Sequence, residues 1–187
     1  SSCPRSYKHR YIDKIGESSA NIYTIFGTSI HETIQHFLSV MYGVSKKQAM
    51  EIDTDKLLLD WMRKEYTKEN DKLTEGSICT QLELEEFYGD GRCILEWFKK
   101  KLDKFYNKSG FELVGIEIPL NAKVKEGVNF IGFIDVVMRD LSDNSIIIID
   151  LKTSTRGWNK YQKSDKYKNA QIVIYKKYYS ELFQIPL

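Results

Sequence analysis

The sequence predicts an α/β protein in which an N-terminal helical lobe precedes a sheet that carries the polar chemistry. Three observations point there. Apolar residues recur at helical spacing through residues 30–106. Residues 111–152 then hold short runs rich in Ile, Val and Phe, separated by turn-forming residues. The chain has 187 residues, 42% hydrophobic and 29% charged, which suits one globular domain of ordinary size with a real core. A single domain over 1–187 therefore divides into a mainly helical part, 1–110, and a sheet with a closing helix, 111–187.

Residues 1–15 are basic and aromatic, with Arg5, Lys8, His9 and Arg10 interleaved with Tyr7 and Tyr11 and with Pro4 suited to a first helical turn. Residues 16–28 read as a loop rich in Gly, Ser and Asn. Thr28 or Ser29 is a candidate N-cap, with Glu32 completing a capping box after Ser29. A helix over Ile30–Tyr42 follows, its stripe formed by Ile30, Ile34, Phe37, Leu38 and Met41, with His31 and Gln35 flanking it at i, i+4. His31, placed in the first turn of that helix, is open to three readings: metal ligand, phosphate contact or packed structural residue. A lone histidine favours the last. A second helical pattern runs through 45–70 and a third through 80–106, where Gly89 and Gly91 are expected to break or kink the helix. These helices read as scaffold, and Glu83, Glu85 and Glu86 as a solvated face.

Phe111–Val124 reads as a strand containing Glu117, with Pro119 marking a strand end or edge. Lys125–Gly127 turns into Gly132–Lys152, where two apolar runs flank the turn-like segment 140–145. In a symmetric hairpin, paired positions share a constant index sum. Asp135 and Asp150 sum to 285, which centres the turn inside that polar segment. The two acids would then be cross-strand neighbours with Cβ atoms about 5 Å apart. Like charges in that relation destabilise a sheet, so a positive group is expected between them. Lys152, two residues after Asp150, falls on the same face. Two acids and a lysine converging at a strand end suit a divalent metal and a water activated for hydrolysis.

The charge is uneven. Residues 151–187 hold eight Lys and Arg against two acids, net +6, leaving residues 1–150 at net −4. The tract after the second acid mixes Arg156, Trp158, Lys160, Tyr161, Lys163, Lys166 and Tyr167, residues able to bind phosphates and stack bases or, on the plainer reading, to keep a loop soluble. A helix over Asn169–Phe183 closes the chain and sets Gln171 and Tyr175 on one face. No apolar run reaches the roughly 18 residues of a membrane span, and no signal peptide is visible. No Met opens the sequence, so it reads as processed or trimmed. Three cysteines, Cys3, Cys79 and Cys93, without metal-ligand spacing, imply a reducing, intracellular setting: cytoplasm, or nucleus or mitochondrion in a eukaryote.

Four segments taken in order resemble the RecB-like branch of the PD-(D/E)XK nucleases: CPRSYKHRYI, GTSIHETIQHFL, GFIDVVMRD followed by IIIIDLKTS, and QIVIY. The resemblance implies a restriction-endonuclease-like core, a mixed sheet with flanking helices, behind the helical lobe. It implies that His31, Asp135, Asp150 and the backbone carbonyl of Leu151 bind Mg²⁺ or Mn²⁺. Lys152 would orient or deprotonate the attacking water, Gln171 and Tyr175 would position the nucleic acid or hold the site's geometry, and Glu117 would be an additional acid. Several relatives hold an iron–sulfur cluster through a cysteine near Cys3 and three more after the Q-x-x-x-Y helix. No cysteine follows Tyr175 here, so no cluster is expected. Ile134 stands where many members have Pro, and the family pattern continues with a strand beyond the closing helix, where this sequence stops.

The expected activity is divalent-metal-dependent hydrolysis of DNA, more exonucleolytic than endonucleolytic, on single strands or duplex ends, in replication, recombination or repair. Arg156, Trp158, Lys160 and Tyr161 would contact the strand. Two rivals are a cap-snatching type of RNA endonuclease and a non-catalytic nucleic-acid-binding module. The tight Asp150-x-Lys152 spacing argues against the first, and the retention of every expected ligand against the second.

Overall fold

A computed structural model describes residues 5, 8–13, 20–73, 75–153, 164 and 166–186. A short π-helical turn at Lys8–Ile12 is followed by four α-helices: α1 (Ile22–Gly43), α2 (Lys46–Glu51), α3 (Thr54–Asn70) and α4 (Gln81–Phe105). Three strands come next, β1 (Phe111–Lys125), β2 (Val128–Asp140) and β3 (Ile146–Ile149), and α5 (Lys166–Phe183) closes the chain.

Helix α1 begins eight residues before the expected start. Its N-cap is Asn21, whose side chain accepts from the Thr24 backbone N–H in an extended conformation suited to capping. Ile22, Ile25 and Phe26 extend the apolar stripe backward and are buried, so tertiary packing overrides the loop-like composition over 22–28. Ser29 does not cap. Its hydroxyl donates to the Ile25 carbonyl at 2.7 Å, and Thr33 repeats the arrangement on Ser29. Residues 45–70 form two helices rather than one, because Asp53 accepts from Lys56 N–H and restarts the backbone after Ile52.

Helix α4 opens on a capping box between Thr80 and Glu83 and runs unbroken through Gly89 and Gly91. Gly91 is a packing glycine: a Cβ there would lie 2.5 Å from Leu58 Cδ2 and 3.1 Å from Phe26 Cε2. Its bare backbone lets α4 settle on α1 and α3. Phe37, Leu38 and Met41 of α1 are fully buried at the centre of this lobe, with Leu58 of α3 and Leu95, Phe98 and Leu102 of α4 around them.

The sheet is antiparallel in the order β1-β2-β3. Pro119 is tolerated because β1 is an edge among the described strands. Strand β2 pairs with β3 through Val136↔Ile149 to Arg139↔Ile146, the register expected from the sequence. The turn is fixed by Asp140 accepting from Ser142 N–H and by Asn144 at φ 60°. One face of the sheet, with Val136, Met138, Ile116 and Ile149, packs on the helical lobe. The other, with Leu120, Ala122, Ile134 and Val137, packs on Tyr175, Tyr178 and Tyr179 of α5.

Residues two apart on a strand ordinarily share a face. Here Ile116 and Ile118 join opposite cores, and so do Ile134 and Val136. The reversal falls on Glu117 in β1 and Asp135 in β2. Glu117 takes a left-handed backbone, φ 49°, which is uncommon for a non-glycine residue and strained within a strand.

Candidate active site

The polar residues singled out in the sequence gather where the sheet reverses, between α1 on one side and α5 on the other. The β1–β2 register sets Glu117 against Asp135, since Ile116 pairs with Val136 and Ile118 with Ile134. One residue beyond the last β2–β3 pair, the same register brings Asp150 opposite Asp135. Three acids therefore come from three adjacent chain segments.

Each acid is held by a different partner. Asp135 accepts through Oδ2 from the Leu151 backbone N–H at 2.6 Å, and His31 Nδ1 lies 3.9 Å from the same oxygen. Asp150 accepts through Oδ1 from Lys152 Nζ at 2.9 Å and from Gln171 Nε2 at 3.2 Å. The same Gln171 amide donates to the Tyr175 hydroxyl at 2.8 Å, so the i, i+4 pair on α5 acts as one unit. Glu117 accepts through Oε1 from Gln35 Nε2 at 2.7 Å, and that amide also lies 3.4 Å from the Asp135 carbonyl.

The positive group expected between the two aspartates takes a different form. Lys152 pairs with Asp150, while Asp135 is compensated by a backbone amide and by proximity to His31. The side chains of Asp135 and Asp150 are 13% and 10% exposed, whereas Lys152 is 44% exposed, so the carboxylates are recessed and the ammonium reaches solvent. Burial pushes the Asp135 carboxyl above its ordinary value, and the charges of Asp150 and Glu117 add to the rise. The Leu151 N–H and His31 oppose it. A recessed acid that resists ionisation beside two others is a common mark of a functional site.

His31 is not in a first helical turn. It is the tenth residue of α1, because the helix starts at Ile22, so the positive end of a helix dipole plays no part in its setting. It reaches the acids because His31 and Gln35 share the side of α1 that faces the sheet. Gln35 is a residue that the sequence marks only as a neighbour of His31 at i, i+4. Its 5% exposure and its bond to Glu117 make it part of the site. Arg156, Trp158, Lys160 and Tyr161 lie outside the described residues.

Residues 1–185 match the model of the PD-(D/E)XK nuclease superfamily. The chain belongs to that superfamily. No curated protein matches it. Membership makes the chain a nuclease, a hydrolase acting on nucleic acid, from a superfamily that generally uses divalent metals such as Mg²⁺. No described helix is long and apolar enough to cross a membrane.

The residues fit such a metal in kind. Three carboxylates and one imidazole form an oxygen-rich set that suits a hard divalent cation. A cation would also favour the ionised form of Asp135 that burial disfavours. The three carboxylates are turned toward hydrogen-bond donors instead. No three His, Cys, Asp or Glu residues among them close to a metal-binding cluster.

Proposed function

We propose that this PD-(D/E)XK protein is a RecB-like, divalent-metal-dependent deoxyribonuclease that digests DNA from single-stranded or duplex ends in replication, recombination or repair. The observation that carries the reading is the meeting of Asp135, Asp150 and Lys152 at the end of β3, with His31 and Gln171 approaching from the two helical layers. Residues 1–187 would act as one nuclease domain, with 1–110 as the helical lobe and 111–187 as the catalytic part.

In this reading Asp135, Asp150, His31 and the Leu151 carbonyl hold Mg²⁺ or Mn²⁺, with Glu117 as an additional acid. When bound, the metal polarises the scissile phosphate and lowers the pKa of its water. Lys152 has the exposure to reach that phosphate and would stabilise negative charge as it develops, while its bond to Asp150 holds the ammonium over the site. Gln171 and Tyr175 would fix the orientation of Asp150 and, with Arg156, Trp158, Lys160 and Tyr161, contact the strand. This reading invokes no iron–sulfur cluster. The free thiols of Cys79 and Cys93 agree with an intracellular setting.

The test is digestion of an end-labelled DNA duplex with Mn²⁺, alongside single-stranded DNA and RNA of the same sequence. Release of short products from DNA ends is expected. Cleavage confined to RNA would return the cap-snatching alternative, and binding without cleavage the non-catalytic one.

A further inference from the structure

A second cleft opens one residue past Lys152. It has a volume of 370 Å³ and lies between the start of α1 and the middle of α4, lined by Tyr23, Phe26, Phe87, Asp90, Cys93, Ile94 and Thr153. The volume falls within the roughly 300–1,000 Å³ of small-molecule sites. Thr153 ties the cleft to the active strand, and it comes this near α1 because Gly27 has no side chain: a Cβ there would lie 3.3 Å from Thr153 Oγ1. Successive Cα atoms are about 3.8 Å apart, so the cleft starts within a nucleotide's reach of Lys152.

Among the described lining residues the chemistry is largely aromatic, with Asp90 as the one charged group. Phe87 meets Tyr23 edge-to-face at 5.3 Å and Phe26 at 5.2 Å. Phe26 and Phe87 are buried, but Tyr23 is 59% exposed and leaves ring surface for a ligand. No Lys, Arg or His is among the described lining residues, and Asp90 would repel a phosphate. Asp90 thus disfavours a phosphate in the cleft, whereas a neutral base has aromatic rings to stack on and a carboxylate able to accept from an exocyclic amino group.

We propose that this cleft takes one unstacked nucleobase of the substrate strand next to the scissile phosphate. The inference rests on the nuclease reading above, and its test separates the two. A single-stranded oligodeoxynucleotide is bound to the Lys152→Ala protein, with affinity followed by fluorescence anisotropy. Alkylation at Cys93, an exposed thiol in the cleft wall, is followed by peptide mass spectrometry. At ten times Kd about one site in eleven is free, so alkylation of Cys93 should slow about tenfold. Tyr23→Ala should weaken binding about tenfold, the equivalent of roughly 1.4 kcal/mol, and Tyr23→Phe should restore it. Bound oligonucleotide that leaves Cys93 alkylation unslowed, or undiminished affinity in Tyr23→Ala, overturns the base cleft. Failure of the unsubstituted protein to cut either this oligonucleotide or its duplex with Mn²⁺ overturns the nuclease reading instead and leaves the protection result standing.

Discussion

Gln35 Nε2 lies 2.7 Å from Glu117 Oε1, so a buried amide of α1 holds the carboxylate of the one β-strand residue with a left-handed backbone among those described. The contact explains why Glu117 stays in that conformation. The strain of the backbone delivers the carboxylate to the amide, and the amide keeps it beside Asp135.

Glu117→Gly and Glu117→Ala both remove the carboxylate, but only glycine takes φ 49° without steric cost. The glycine variant should be the more stable by about 1 kcal/mol in denaturant melts. Equal stabilities would mean that the backbone relaxes once the side chain is gone.

Asp150→Asn and Lys152→Ala should each abolish cleavage while leaving the fold intact, because both side chains lie at a polar strand end and leave no core cavity. Asp150→Asn should also weaken Mn²⁺ binding, whereas Lys152→Ala should lose rate alone. Nuclease activity surviving in either purified, folded protein would remove these residues from the chemistry.

His31→Ala should weaken Mn²⁺ binding measured by calorimetry. Outer partners of metal ligands typically contribute 10–100-fold to affinity, and loss of a ligand should cost no less than about tenfold. Unchanged affinity would make His31 a partner of Asp135 only.

The raised Asp135 carboxyl sets a sign for pH dependence. For an acid raised in the folded state, its contribution to stability is fully present below the unfolded-state value. It is lost as pH rises through the folded-state value. Metal-free protein should therefore be more stable as Asp135→Asn than as the unsubstituted chain near neutral pH, with the gap closing in acid. Thermal melts of both proteins across that range, with chelator present, check this. A gap that widens in acid contradicts it.

Neutralising Lys160, Lys163 and Lys166 together should weaken DNA binding by a similar factor for different sequences. The salt dependence should flatten by about 0.9 in log–log slope for each duplex phosphate that the protein no longer neutralises. An unchanged slope would move the strand toward the basic N-terminal segment around Arg5–Arg10.

The pairing of Asp135 with Asp150 is legible in the sequence because a hairpin register follows from one arithmetic constraint and the turn chemistry of 140–145, both local. The link between Gln171 and Tyr175 is legible for the same reason, as helical spacing alone sets it. The start of α1 is not, since Gly27, Thr28 and Ser29 look like a cap until Ile22, Ile25 and Phe26 find their core. Gly91 reads as a break because nothing near it in sequence announces Leu58 against its backbone. The bend at Glu117 leaves no trace either: an acid between two isoleucines reads as ordinary strand, and only the amide of Gln35, eighty-two residues away, gives it a reason.

The reversal of the sheet at Glu117 and Asp135 makes the acids answerable to two cores at once. His31 and Gln35 are aligned by the packing of α1 on one side, Gln171 and Tyr175 by the tyrosines of α5 on the other. A slight misfit in either core, even one distant from any polar group, would turn one half of this polar cluster against the other. Activity should therefore fade under mild heat or denaturant before the fold is lost, so that turnover acts as a gauge of how the two layers are aligned.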